Sequence, residues 1–421
     1  MSKVKLQNGI RILPGPLSGV RVLDLSYVIS GPFCCGILAD QGCDVIKIEG
    51  PTKYDQTRQL GPTPPRKRPG DVPPQFNLGA MYTTVNRGKR AITLDLNNEK
   101  GLNIFKKLCV NSDVVVQNYR PGVAKRLGIH YNDLIQINPK IIVLSISGFG
   151  QDGPYKKAKV FDQVIQAQAG IGEIAYGSNG EQSIFHNLIF DKVTSLNAAQ
   201  AVAAALFSRE RTGKGQHIEL AMIDAAVHFL YPDAYWNQVW DKNEIKPFSL
   251  EWADIESKSV FETSDGRVTM QANIDGYTGI LKVIENTELL EEIKTKSPGR
   301  ELLTWFQTKS TYIRGEIKQI PKQVIFNRCL KHGVPCGIVK SLAEVKQDPQ
   351  IKYNGTIETH VHEVHNIKYD TPKPPANFSH TPSKVQSSAP EMGFHNNEIL
   401  SELGYTNVEI EELRSNGIIG K

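Results

Sequence analysis

In the first half of the chain, short continuous apolar runs alternate with stretches whose apolar residues recur at helical spacing. VRVLDLS (20–26), DVIKIE (44–49), AITLDL (91–96), DVVVQ (113–117) and IIVLSIS (141–147) read as strands. Such runs suit strands covered on both faces, hence a parallel sheet with crossover helices. Residues 32–40, opened by Gly31-Pro32, and Glu99–Val110 supply helices between them. The pattern predicts an α/β fold, doubly wound, with an open and mostly parallel sheet.

Residues 50–86 break this rhythm with GPTPPRKRPGDVPP and read as a long surface loop, a length that loops seldom have without a function. Residues 193–209 form a strong helix stopped by Gly213 and Gly215, followed by a strand at Gln216–Met222 and an aromatic-rich helix to about Trp240. Lys242–Ser257, charged and irregular, reads as a linker. Ser259–Glu262 and Arg267–Gln271 flank Asp265-Gly266, the dipeptide of a tight hairpin, and open a smaller α+β segment. Strand and helix return from Val334, ending in short helices at 397–403 and 408–415.

Composition narrows the class. The 421 residues are 40% hydrophobic and 22% charged, enough apolar material for a large core. Lys and Arg number 49 against 44 Asp and Glu, a net charge of +5 that argues against a nucleic-acid partner and fits a local patch for a small anion. No run approaches 18 apolar residues, so no membrane span is expected. The opening residues lack the apolar core of a secretory signal. Cys34, Cys35, Cys43, Cys109, Cys329 and Cys336 include no C-x-x-C and sit largely in apolar runs. They are expected to be buried, reduced thiols in a cytoplasmic protein, the mitochondrial matrix being the alternative.

Three motifs invite specific chemistry. Gly148-x-Gly150-x-x-Gly153 follows a strand, but Pro154-Tyr155-Lys156-Lys157 does not open the helix that a dinucleotide fingerprint needs. His360, His362 and His365 have the spacing of metal ligands, yet the segment also reads as an exposed hairpin; no metal is expected. Cations recur at loop positions: Arg58, Arg87, Lys89, Arg90, Arg120, Lys125, Arg126, Lys156, Lys157 and Lys159. In a doubly wound sheet such loops converge on a ligand crevice, where a phosphate-bearing ligand would need them.

Asp191 precedes the 193–209 helix, and an aspartate there is ordinarily an N-cap. The same placement at the positive end of the helix would keep its carboxylate ionised, as a nucleophile requires. The preceding Leu188-Ile189-Phe190 predicts partial burial.

Eight ordered blocks, 16–32, 44–51, 86–96, 113–128, 147–155, 190–225, 332–351 and 394–405, together resemble the class III CoA-transferase family, which includes formyl-CoA transferase and carnitine CoA-transferase. The resemblance implies a Rossmann-like large domain built from both chain ends (1–225 and 331–421), a linker at 226–258, a small α+β domain at 259–330 and an interlocked-ring homodimer. It implies that Asp191 attacks an acyl-CoA thioester to form a mixed anhydride, without a prosthetic group. It places CoA against Ile29 and Ser30, Asn86, Arg87, Gly88 and Lys89, Asn118, Tyr119 and Arg120, Arg126, and Lys159, Val160, Phe161 and Asp162. Among these, Lys89 and Arg126 are expected at the nucleotide end.

Departures refine the reading. Ile29 and Gly50 replace a glutamine and an arginine of formyl-CoA transferase, and no glycine-rich run occurs near 250–265. Phe161 stands where the related α-methylacyl-CoA racemases carry histidine, and a racemase needs two groups to move a proton between faces. The expected activity is transfer of CoA from an acyl-CoA, succinyl-CoA being one candidate, to a small carboxylic or dicarboxylic acid. A racemase, a non-catalytic CoA-binding protein and an NAD-dependent oxidoreductase are the alternatives.

Overall fold

A computed structural model describes residues 6–7, 9–64, 77–175, 183–241, 259–271, 276–297 and 300–420. They form two compact units: the residues up to Trp236 together with those from Gly355 onward, and Asn237–Asn354.

The first unit holds the six-stranded sheet. Its strands are β1 (Arg21–Asp24), β2 (Asp44–Glu49), β3 (Lys89–Thr93), β4 (Val114–Gln117), β5 (Ile142–Ser147) and β6 (His217–Ala221). All neighbours are parallel and the spatial order is β3-β2-β1-β4-β5-β6. The chain therefore reverses its winding direction between β1 and β4. Every residue of β1 to β5 is buried, because helices cover both faces and alternate side chains enter opposite cores. Val22, Val45, Val114, Val116 and Leu144 pack beneath α1 (Ser30–Asp40), α4 (Ile189–Thr212) and α5 (Met222–Ala234). Leu23, Ile46, Val115 and Val143 pack beneath α2 (Glu99–Val110) and, from the far end of the chain, α9 (Asn396–Glu402) and α10 (Asn407–Ser415). Each such side chain contributes about 1.5–3 kcal/mol of burial.

The second unit carries an antiparallel sheet of β7 (Val260–Thr263), β8 (Gly266–Met270) and β9 (Cys336–Ile338). It packs on α6 (Gly276–Val283), α7 (Arg300–Lys318) and α8 (Lys322–His332) through Val268, Met270, Ile280, Ile317 and Cys329. The hairpin turns at Ser264-Asp265, one residue before the Asp265-Gly266 pair that the sequence suggests, because Gly266 is already paired with Thr263. Because β9 is the third strand of this sheet, the unit extends to Asn354 rather than ending near 330.

Other boundaries also move. The 50–86 segment is not simply a loop: it contains a 3-10 turn at Gln56–Gln59 and a helix at Ala80–Val85. Its basic stretch at 65–76, like the 242–258 linker, lies outside the described residues. The histidine segment forms the hairpin of β10 (Ile357–Val361) and β11 (Lys368–Pro372), in which His362 is buried against the Ala389 carbonyl. Cysteines 34, 35, 43, 109 and 329 are buried, Cys336 is half-buried, and all six are free. Among the described residues no helix is long and apolar enough to cross a membrane.

Candidate active site

A cleft of about 450 Å³ opens at the carboxyl ends of β1, β4 and β5. This is the point where the winding reverses, the place where doubly wound sheets leave a ligand crevice. Its wall is built by Tyr27, Val28 and Ser30 after β1, Asn118 to Pro121 after β4, and Ser147 to Phe149 after β5. Lys156, Lys159, Val160 and Phe161 close one side, with Asp191 and Met222 at the helix starts.

The turn from β1 into α1 is strained and heavily braced. Val28 has φ +69°, a conformation that β-branched residues rarely adopt. Surrounding bonds hold it: the Val28 N–H donates to Asp55 Oδ1 at 3.2 Å, and the Tyr27 N–H donates to Asn118 Oδ1 at 2.9 Å. Asn118 Nδ2 returns a bond to the Tyr27 carbonyl at 2.8 Å. Lys47, fully buried, donates to the Ser26 carbonyl at 2.8 Å and to Asp55 at 3.1 Å. Gly31 follows because a Cβ there would lie 2.2 Å from the Ser26 Cβ. The result is a fixed helix start, and its Ser30 main chain donates a hydrogen bond to the Asp191 carboxyl.

Asp191 lies in the first turn of α4, which begins at Ile189 with Leu188 as its N-cap residue. It is therefore not the cap that the sequence suggested; the apolar Leu188-Ile189-Phe190 run is already turning into helix. Its own N–H, one of the unpaired donors of that turn, is capped from a neighbouring helix. Asp162, the first residue of α3 (Asp162–Gln168), accepts it through Oδ2 at 2.8 Å. The buried Gln166 donates to Asp162 Oδ1, and it also donates to the Asn187 carbonyl at 2.9 Å while accepting the Phe185 N–H at 2.8 Å. Ser195 Oγ bridges the Asp191 carbonyl at 2.7 Å and the Ser30 carbonyl at 2.8 Å, tying α4 to α1.

The Asp191 side chain is buried and its carboxyl is pushed up to about 7. Burial is the main cause and the Asp162 carboxylate the second, opposed by a hydrogen bond from the Ser30 main chain. The Ser30 N–H at the start of α1 offsets burial only in part, so the carboxyl is held above the usual aspartate range, where the sequence suggested a helix end favouring the ionised form.

The sequence-flagged residues divide into two groups. Ser30, Asn118, Tyr119, Arg120, Lys159, Val160 and Phe161 line the cleft with Asp191, and Phe161 is 62% exposed there. Ile29 is buried as the N-cap residue of α1, and Asp162 is buried behind Asp191; neither lines the cleft. Asn86, Arg87, Gly88 and Lys89 are also buried away from it. Their charges are spent inside the fold: Arg87 pairs with Asp40 at 2.6 Å and Lys89 with Asp24 at 2.7 Å. Arg58 and Arg90 pair likewise with Glu49 and Asp44. Arg126 is exposed on the short helix Val123–Arg126, outside the cleft lining. Arg120 and Lys159 are cleft cations without an ion-pair partner among the described residues, whereas Lys156 pairs with Asp152.

Sequence reasoning missed the Val28 strain, the Asp55–Lys47 brace and Met222. Val28 carries no local signal, since strain at a valine shows only in the backbone. No helix opens at Gly153, and the Gly150 N–H is taken by Ser147 Oγ at 3.0 Å, so the glycine triplet does not form a dinucleotide turn. Among the described residues no three His, Cys, Asp or Glu converge on a common point.

Comparison with known proteins gives consistent results. The model of CoA-transferase family III matches residues 17–396. Succinate–glutarate CoA-transferase of Agrobacterium fabrum is 31% identical over 92% of this chain and 96% of its own. Human succinyl-CoA:glutarate CoA-transferase is 31% identical over 96% and 90%. Formyl-CoA:oxalate CoA-transferase of Afipia carboxidovorans is 31% identical over 96% and 98%. Among solved structures, a CAIB/BAIF family protein from Brucella suis superposes with a TM-score of 0.77 at 27% identity, covering 93% of this chain and all of that one.

Proposed function

Given that the chain belongs to CoA-transferase family III, we propose that it moves CoA from succinyl-CoA to a small dicarboxylic acid, with Asp191 as the nucleophile. The observation that carries this reading is the buried Asp191 carboxyl at the cleft, flanked by the Ser30 N–H and open to a ligand. Asp191 would attack the thioester carbonyl carbon, the C–S bond would break, and the electron pair would leave on sulfur as thiolate. The acyl group is then held as a mixed anhydride. The acceptor carboxylate would open this anhydride at the Asp191 carbonyl, expelling succinate and forming its own anhydride, and the CoA thiolate would attack the acceptor's acyl carbon, giving the new thioester and free Asp191 carboxylate. The names of the relatives support a dicarboxylic acceptor, and the unpaired Arg120 and Lys159 are suited to phosphate or carboxylate.

Phe161 favours transfer over racemisation. It stands at the cleft with no titratable proton, and Asp191 alone can take an α-proton but cannot return one to the opposite face. Purified protein should pass CoA from succinyl-CoA to glutarate or a close homologue, and a chiral 2-methylacyl-CoA in deuterated water should keep its configuration. Deuterium at the α-carbon with no acid gaining CoA would replace the transferase by a racemase.

The enzyme is further proposed to act as a homodimer in the cytoplasm. Leu196 and Phe207 on α4 and Phe229 and Tyr231 on α5 leave large apolar surface exposed, as a subunit interface would require. Light scattering should give twice the 46.8 kDa chain mass; a monomer at micromolar concentration would contradict it.

A further inference from the structure

Among the described residues, seven carboxylates are buried in the large unit: Asp24, Asp40, Asp44, Glu49, Asp55, Asp162 and Asp191. Five have a cation within ion-pair distance: Lys89, Arg87, Arg21 with Arg90, Arg58 and Lys47 respectively. Asp162 and Asp191 have none among the described residues, and they are neighbours: Asp162 Oδ2 accepts the Asp191 N–H at 2.8 Å. Among the described residues the large unit neutralises every other buried carboxylate and leaves these two neighbours without a cation. We propose that Asp162 is a positioning residue for Asp191: it anchors the first turn of α4 and, as a buried anion without a counter-charge, disfavours the ionised aspartate relative to the uncharged anhydride. This rests on Asp191 being the nucleophile.

The electrostatics follow from charge bookkeeping in a poorly solvated site. Acylation moves one negative charge from the Asp191 oxygen to the CoA sulfur, which departs as thiolate, and no proton is consumed. The product at position 191 is neutral, so the repulsion from Asp162 and the burial cost both vanish at that step. Burial and Asp162, in that order, also raise the proton affinity of Asp191. Asp162 is itself kept in place by the Gln166 amide, which clamps Phe185 and Asn187 on the approach to α4. The remaining groups around Asp191 are the Ser30 main chain from α1, Met222 from α5, and Lys156, Lys159 and Phe161 from the segment before α3. Tyr27, Tyr119 and Arg120 also line the cleft, and Lys192 on the same helix is exposed.

The test is release of free CoA from succinyl-CoA by excess enzyme without acceptor, measured chromatographically between pH 5.5 and 9. Wild-type release should rise with pH to a half-maximum near 7. Asp162→Asn keeps an oxygen for the Asp191 N–H but removes the charge. Its half-maximum should fall by roughly one pH unit, making it roughly fivefold faster than wild type at pH 6 relative to its own plateau, with a lower plateau above pH 8. Asp162→Glu should retain the wild-type midpoint. A changed plateau with an unmoved midpoint would reduce Asp162 to a structural cap and overturn the proposal. No release by wild type at any pH would overturn the nucleophile itself, and the role of Asp162 with it. Should Asp162→Asn not fold, Asp191→Asn reads by melting the combined cost that burial and Asp162 place on the ionised Asp191. A carboxyl raised in the folded state costs stability as pH climbs from about 4 to 7, so the gain of Asp191→Asn over wild type should be larger at pH 8 than at 4.5. An equal gain at both pH values would contradict the proposal.

Discussion

Asp191→Ala is expected to lower acyl transfer by at least about 10⁴-fold while leaving the protein folded and able to bind CoA. The size follows from its role. A nucleophile that forms the covalent intermediate has no substitute in the cleft: Ser30 and Ser147 carry no adjacent base, and Phe161 is chemically inert there. The fold should tolerate the change because Asp191 forms no ion pair among the described residues and, apart from the Ser30 main-chain bond to its carboxyl, its bonds run through its main chain, to Asp162 and to Ser195. Binding should survive because the cleft cations Arg120 and Lys159 lie on other elements. Steady-state transfer and isothermal titration with CoA check the two halves separately. Transfer within tenfold of wild type in Asp191→Ala would remove the aspartate from the chemistry.

The second large effect separates structural from ligand-binding cations. Lys89 donates to Asp24 at 2.7 Å, the Pro32 carbonyl at 2.8 Å and Asn86 at 2.7 Å, satisfying all three ammonium donors. Burial alone would push the Asp24 carboxyl up; Lys89 and then Lys47 overcome it and hold it at about 2. Lys89→Ala strands that charge and should cost about 3–5 kcal/mol, a fall in melting temperature of roughly 6–20 °C. Because the folded Asp24 is depressed, this stabilisation is fully present above about pH 4 and is lost only as pH falls toward 2. Arg120→Ala or Lys159→Ala, by contrast, should leave melting nearly unchanged and weaken CoA about ten- to a hundred-fold. Thermal scans and CoA titrations of the three variants decide the assignment. If Lys89→Ala melted like wild type yet bound CoA poorly, the cation would belong to the ligand after all.

These outcomes bear on what a single sequence reveals. The parallel sheet was legible because strands covered on both faces must be apolar throughout, as VVV at 114–116 is. The site region was legible too, since short loops after successive strands have to converge at the reversal of winding. The partners of the buried cations were not. Lys89 and Arg90 look like loop charges when the strand is started at Ala91, but β3 begins at Lys89, so both enter the layer beneath the helices. Their counter-ions Asp24 and Asp44 sit 65 and 46 residues away, beyond any local pattern. Asp191 shows the same limit on a smaller scale. The sequence placed the residue at a helix start, yet its protonation depends on Asp162 and Ser30, contributed by two other helices.

A covalent acyl-enzyme at one aspartate can be caught by mass spectrometry of the protein quenched with hydroxylamine after exposure to succinyl-CoA alone. The peptide carrying Asp191 should bear a hydroxamate, absent without acyl-CoA and absent in Asp191→Ala. A hydroxamate on any other carboxylate, or transfer activity with an unmodified Asp191 peptide throughout, would contradict an acyl-enzyme at Asp191.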